Sequence, residues 1–163
     1  MLLNKTKTNL FVFKYSLSEI SWYLINNLIM NSFFPFTSIK VFLLKIFGAK
    51  IGKNIILGKH IYIKYPKNLI LGNNVWIGNF TIFDNVSKII IEDNVCISQY
   101  TILVASNRDF KNDQFNKIDA DILIKKNSWV SSCCKIGPNT RIGEDNFIKF
   151  GTIITGKNKI ITK

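Results

Sequence analysis

The chain has 163 residues, 47% of them hydrophobic, which is enough apolar content to bury one core without disulfide or metal staples and too little length for a second independent domain. Lys and Arg outnumber Asp and Glu by 22 to 10, a balance that suits anionic partners such as phosphate-bearing cofactors or lipid surfaces. The lysines are scattered singly, with no basic run interleaved with aromatics, so nucleic acid is not an expected partner. Cys96, Cys133 and Cys134 lack CxxC spacing and a neighbouring histidine, which argues against a disulfide framework and a zinc site; a reducing compartment and no metal are expected.

Residues Met1 to Asn9 carry two lysines but are followed by no apolar core with a small-residue cleavage site, so export is not expected and a cytoplasmic location is. Ser16-Leu17-Ser18-Glu19 has the spacing of a capping box and predicts a helix to about Met30. Pro35 interrupts, and a second helix is predicted from about Ser38 to Phe47, ended by Gly48. The segment is aromatic-rich, yet Asn26, Asn27, Asn31 and Pro35 break it below membrane-spanning length. Two compatible readings stand for residues 1–47: a cap over the end of the domain that follows, or an interfacial anchor with Lys40 and Lys45 near lipid headgroups and the protein held peripherally at the inner face of the membrane.

From residue 48 onward the sequence repeats. Ile51, Leu57 and Ile63 are six apart, as are Leu71, Ile77 and Phe83, and Ile91, Ile97 and Leu103; the sets are separated by eight. The spacing of six resumes through Ile124, Val130, Ile136, Ile142, Ile148 and Ile154, so all fifteen anchors are apolar. Two positions before most anchors sits a second small or aliphatic residue, as at Ile61, Val75, Thr101 and Cys134, matching the alternation of a short strand. A glycine often follows the anchor, as in Ile51-Gly52 and Ile77-Gly78, where it is expected to supply positive φ at a corner. A period of six with a turn in every repeat fits neither an α-helix nor a hairpin. It describes an all-β solenoid of about five triangular coils, with small bulges around Tyr65 to Asn68 and Asn85 to Lys88. Leu103 and Ile124 are twenty-one apart where six is due, so a loop of fifteen extra residues, within 104–121, protrudes from the third coil.

The segments Phe47-Gly48-Ala49-Lys50-Ile51-Gly52, Tyr65-Pro66-Lys67-Asn68-Leu69, Val75-Trp76-Ile77-Gly78, Asn94-Val95-Cys96-Ile97-Ser98-Gln99, Ser128-Trp129-Val130 and Ile136-Gly137-Pro138 resemble the hexapeptide-repeat acyltransferases, and among them the colanic-acid-type polysaccharide O-acetyltransferases. The resemblance implies a left-handed parallel β-helix over residues 48–163, a hand that general sterics would not suggest. It also implies a homotrimer with active sites between subunits, acetyl-CoA as co-substrate along a groove parallel to the solenoid axis, and a sugar hydroxyl or lipid-linked saccharide as acceptor.

In such proteins the long loop carries a histidine that deprotonates the acceptor, a task suited to imidazole. Here that position holds Arg108, followed by Asp109. A guanidinium stays protonated and cannot be a general base. The resemblance therefore leaves Asp109 as base or orienting group, Arg108 as an anion-binding cation, and a catalytically silent binding scaffold as the alternative to an enzyme. The sole histidine, His60, lies two coils earlier and reads as a corner residue. The resemblance further implies acceptor contacts at Asn79 and Asp84 and cofactor contacts at Trp129, Ser131, Gly151 and Thr155, where corner Asn, Asp and small residues also have structural uses.

Overall fold

The computed structural model describes residues 16–108, 116–154 and 160–161. Asp109 and Thr155, together with residues 1–15, lie outside the described residues.

Helix α1 (Leu17–Ile25) opens on the expected capping box: the Glu19 amide donates to Ser16 Oγ at 3.2 Å, and the Ser16 amide donates to Glu19 Oε2 at 3.0 Å. It runs on to Met30, but as a π-helical turn over Asn26–Met30, closed by the Asn31 amide bonding the Asn26 carbonyl at 2.7 Å. Nothing in the residue pattern signals that widening, and its cause is tertiary. Asn26 is buried, and its Oδ1 accepts from the Ile63 amide at 3.2 Å, while Trp22 Nε1 donates to the Ile63 carbonyl at 2.7 Å. Helix α2 (Thr37–Ile46) ends at Gly48 with φ +92°; the Gly48 amide bonds the Lys45 carbonyl and the Ala49 amide the Leu44 carbonyl, the double closure that glycine permits.

Three parallel sheets form the faces of a prism. Face A stacks residues 50–51, 69–71, 89–91, 122–124, 141–142 and 160–161. Face B stacks 56–57, 76–77, 96–97, 129–130 and 147–148, and face C stacks 62–63, 82–84, 102–104, 135–136 and 153–154. The register places like on like: Leu57 against Ile77, Ile97 and Val130 on face B, and Ile63 against Phe83, Leu103 and Ile136 on face C. Fourteen of the fifteen anchors are buried; Ile51, in the first coil, is half-buried against the same core. The expected bulge at Tyr65 to Asn68 is a short 3₁₀ turn, Pro66–Asn68, and the buried Asn85 of the following coil bonds both the amide and the carbonyl of Tyr65, at 2.9 and 2.6 Å.

The glycines after the anchors do not take positive φ, contrary to expectation. Left-handed backbone falls two residues later, at Asn54, Asn74, Asn94, Asn127 and Asp145 on one corner and at His60, Phe80, Tyr100, Cys133 and Gly151 on the next. The glycines answer to space instead. A Cβ at Gly58 would lie 2.5 Å from Asn79 Oδ1, and one at Gly78 would lie 2.5 Å from the Gln99 amide nitrogen of the following coil. Asparagine tolerates the left-handed region, and here its side chains form a ladder: Asn54 donates to Asn74, Asn74 to Asn94, Asn94 to Asn127 and Asn127 to Asp145, at 2.9 to 3.1 Å.

The helical unit closes the first coil, whose backbone has no coil beneath it. Besides the Trp22 and Asn26 contacts, the Ile61 amide donates to the Met30 carbonyl, the His60 amide to the Ser32 carbonyl, and Lys40 Nζ to the Gly58 carbonyl at 2.7 Å. Lys40 is buried, and that burial, with Lys59 nearby, pulls its ammonium below the ordinary lysine range. Its stem packs while its head serves a backbone acceptor, so it is not one of two lysines facing headgroups.

The register has a direct test. Ile136 is 1% exposed and Lys135, its chain neighbour, points outward. Ile136→Asp buries an unpaired carboxylate and is expected to cost about 4 kcal/mol or more in chemical denaturation, whereas Lys135→Asp stays within roughly 0.5 kcal/mol of the parent. Equal losses would mean the inward face is wrongly assigned.

Candidate active site

The inserted loop leaves the prism at the edge between faces C and A. Face C runs to Val104, and Ser106–Arg108 then pairs antiparallel with Lys117–Asp119, Arg108 opposite Lys117. The hairpin is anchored at its base by the Ala120 amide on the Ala105 carbonyl at 3.2 Å and the Ala105 amide on the Asp84 carbonyl at 3.0 Å. The long connection is thus a two-stranded arm whose backbone places Arg108 out along its first strand.

Asp84 lies on this same edge, one coil below Val104. Its Oδ1 accepts from Lys64 Nζ at 2.8 Å. Burial lowers the Lys64 ammonium, but the hydrogen bond and charge of Asp84 outweigh it, so the net shift is upward. Both side chains are about one third exposed, so the pair orients Asp84 more than it stabilises the fold.

The other sequence-predicted residues gather elsewhere. Trp129 is on the outer side of face B, about half exposed; its Nε1 donates to Ser98 Oγ at 2.8 Å and its ring meets Phe147 edge-on at 5.5 Å. Ser131 and Gly151 lie on the edge between faces B and C, with Asn79 two coils from Ser131 on that edge. Asn79 Oδ1 accepts from the Lys59 amide at 2.8 Å, a structural duty that turns the amide towards the coil beneath. Within one chain, then, Arg108 and Asp84 share one edge while Trp129, Ser131, Gly151 and Asn79 share the neighbouring face and edge.

The B–C edge also carries a feature the site reading missed. His60, Phe80 and Tyr100 stack face to face, centroids 4.7 and 5.0 Å apart with interplanar angles of 9° and 2°, and Phe33 closes the lower end edge-on at 4.5 Å. All three have φ between +53° and +59°, which is costly for bulky side chains; stacking offsets part of that. His60 is therefore a corner residue in an aromatic column, on a different edge from the hairpin. The signal was present in the sequence as aromatic rings recurring at intervals of twenty.

Face B is apolar outside as well as inside. Ile56, Trp76, Trp129 and Phe147 are each more than half exposed, and Cys96 sits between the two tryptophans in register. Burial holds the Cys96 thiol above its ordinary range against the opposing pull of Ser98, so it stays protonated at neutral pH. Among the described residues no group of His, Cys, Asp and Glu is placed to hold a metal ion.

Two solved structures share this architecture. A hexapeptide-repeat acetyltransferase of Vibrio cholerae, crystallised with acetyl coenzyme A, superposes with a TM-score of 0.66 over 85% of this chain and 80% of that one, at 14% identity. A maltose O-acetyltransferase of Clostridium difficile gives 0.61 over 85% and 81%, at 21% identity. The chain has the left-handed β-helix fold of these two structures. By sequence the β-helix protein is 29% identical over 121 residues to WcaF of Escherichia coli K12, named as a colanic acid biosynthesis acetyltransferase, and equally to WcaF of Shigella flexneri. These matches cover 74% of this chain and 63% of the relatives, so the chain spans less than two thirds of the length of the curated proteins it matches. No protein-family model matches it.

The hairpin is an appendage of the β-helix, not part of its core, because Ala105 and Ala120 are already bonded at its base. Excising 106–119 and joining the ends through two glycines should leave the circular dichroism spectrum intact and shift Tm by less than roughly 5 °C. A lost transition would show that the arm holds the third coil together.

Proposed function

We propose that this protein transfers an acetyl group from acetyl-CoA to a hydroxyl of a surface polysaccharide or its lipid-linked precursor. The observation that carries the reading is the arm at the C–A edge of the third coil, with Arg108 on it, in a β-helix 29% identical over 121 residues to a protein named as a polysaccharide-pathway acetyltransferase. Solved β-helices of this architecture include one holding acetyl-CoA, which supports the same donor here.

In the step proposed, the acceptor oxygen attacks the thioester carbonyl, the carbon–sulfur bond breaks, and the acceptor proton ends on the departing thiol. Arg108 cannot take that proton. Its role in this reading is to bind a negative group on donor or acceptor, with Asp109 or a water receiving the proton. Trp129, Ser131, Gly151 and Thr155 would contact the donor, and Asn79 and Asp84 would contact the acceptor.

A homotrimer completes this reading. Arg108 and the Trp129 group lie on different edges of one prism, and the outer side of face B presents Ile56, Trp76, Trp129 and Phe147 to solvent. A neighbouring copy would cover that apolar face and bring its arm to the groove.

The helical unit supports one further element, peripheral contact with an anionic lipid surface from the cytoplasmic side. No helix among the described residues is long and apolar enough to cross a membrane. Leu17, Leu24, Leu28, Phe33, Phe36, Phe42 and Ile46 are all more than half exposed, and the exposed Lys45 and Lys59 lie on or beside the same unit. An apolar helical surface with basic neighbours matches the chemistry of a headgroup boundary.

Acetyl-CoA turnover with a panel of saccharide acceptors tests the enzyme reading. Arg108→Ala is expected to lower kcat by about a hundredfold, Arg108→His to lower it as well, and Trp129→Ala to raise KM for acetyl-CoA about tenfold. Absence of coenzyme binding and turnover in the parent and every variant would leave the silent scaffold. For the membrane element, flotation with phosphatidylglycerol vesicles should recover the parent but not Leu28→Glu, with phosphatidylcholine vesicles recovering neither well. A parent that stays with the soluble fraction, with Leu28→Glu reducing its sedimentation coefficient instead, would make that face a contact between copies.

A further inference from the structure

A cavity of about 490 Å³ lies where α1 crosses the C–A edge of the first coil, outside every residue discussed as donor groove. Its volume is that of a small-molecule site. Four aromatic side chains contribute to its wall: Trp22, Tyr23, Tyr62 and Tyr65. Trp22 is fixed there, buried, bonded to the Ile63 carbonyl and packed on Phe47 with centroids 5.2 Å apart. Tyr23 is 63% exposed, its ring projecting from α1.

The polar groups on this wall are of both signs. Glu19 contributes a carboxylate that the Ser16 amide holds in place, and Lys64 contributes an ammonium that Asp84 holds in place. An anion would meet Glu19, a cation would meet Lys64 and also Lys67, whose Nζ lies 5.9 Å from the Tyr65 ring centroid, and a purely apolar ligand would strip these groups of water without replacement. What satisfies aromatic faces together with a fixed donor and a fixed acceptor is an uncharged ring with C–H faces and peripheral hydroxyls, a pyranose.

The position adds a second argument. Lys64, Asp84 and Val104 succeed one another up the C–A edge, and the arm starts two residues after Val104. Adjacent coils are separated by about 4.8 Å, so the cavity lies roughly 10 Å below the root of the arm, about two sugar units along the edge. Asp84 joins the two places, since it salt-bridges a cavity residue and its carbonyl holds the root of the arm.

We infer that this cavity is a saccharide subsite that grips an uncharged sugar unit of the acceptor about two residues away from the hydroxyl that is acetylated. The inference rests on the transferase reading for what happens at the arm, but not for binding itself. It makes the acceptor an oligosaccharide with two or more units, and makes Tyr23 a specificity-determining residue that acts on KM.

The experiment is calorimetry on the full chain with glucose, galactose, fucose, and the disaccharides and trisaccharides of the maltose, cellobiose and lactose series, alongside a separate titration with coenzyme A. At least one di- or trisaccharide should bind, its monosaccharides more weakly. Tyr23→Ala should weaken that binding about tenfold, the loss of one stacked ring, with coenzyme A binding unchanged; Tyr23→Phe should restore it. In turnover with the same saccharide, Tyr23→Ala should raise the acceptor KM and leave kcat within twofold. Coenzyme A binding with no saccharide binding in the whole series would overturn the subsite, as would saccharide binding that Tyr23→Ala leaves unchanged. Saccharide binding without any coenzyme A binding would uphold the subsite and remove the transferase reading.

Discussion

Everything in this protein depends on stacking one coil on the next, with each backbone amide and carbonyl of a face answered by the coil above or below. The core is only one inward side chain deep per face, so an anchor can be buried only if the anchor of the next coil lies directly over it. The pairs Ile77–Ile97 and Ile136–Ile154 show this: a shift of one residue would turn each anchor outward and an outward neighbour, Lys135 in the case of Ile136, inward. Strict hexads survive even across the fifteen-residue insertion because the coil that follows must resume in register.

The same dependence creates a problem at the first coil, which has no coil beneath it. The helical unit resolves it with side chains and backbone together: Trp22 and Asn26 take both polar groups of Ile63, Met30 and Ser32 accept from Ile61 and His60, and Lys40 reaches Gly58. The π-helical turn at Asn26–Met30 follows from that docking, since it turns Asn26 inward to meet the sheet edge. An aromatic-rich segment thus closes the solenoid with one side and exposes a broad apolar surface on the other. The cavity under α1 is a by-product of the crossing, walled by rings that the cap and the first coil each contribute.

Stacking also sorts chemistry by edge. Side chains twenty residues apart in the first coils come to lie one above another, so Lys64 meets Asp84, the asparagines form a hydrogen-bonded ladder, and His60, Phe80 and Tyr100 stack. Polar asparagine on one edge and aromatic rings on the next give those edges different surfaces on a uniform core. Arg108 stands on the third edge, where the arm leaves. A guanidinium keeps its positive charge at any ordinary pH, so Arg108 is a fixed cation in the sequence of the arm.

Much of this was determined by the sequence alone. The hexad period located the faces, the anchors and the arm, because burial in a one-side-chain-deep core leaves only apolar residues at those positions. The capping box at Ser16 and the glycine stop at Gly48 were equally legible, since both act within a single turn. Tertiary structure decided the rest. It moved positive φ from the glycines to Asn54, Phe80 and their equivalents, because the glycine positions face the backbone of the next coil and only there does a Cβ collide. It widened the first helix at Asn26, placed Arg108 on the C–A edge and Trp129 on face B, tied Asn79 to a backbone amide, and enclosed the cavity between Tyr23 and Tyr65. Each depends on which groups coil stacking brings face to face, and a reading along one strand of sequence holds the period of the coil but not the neighbours across it.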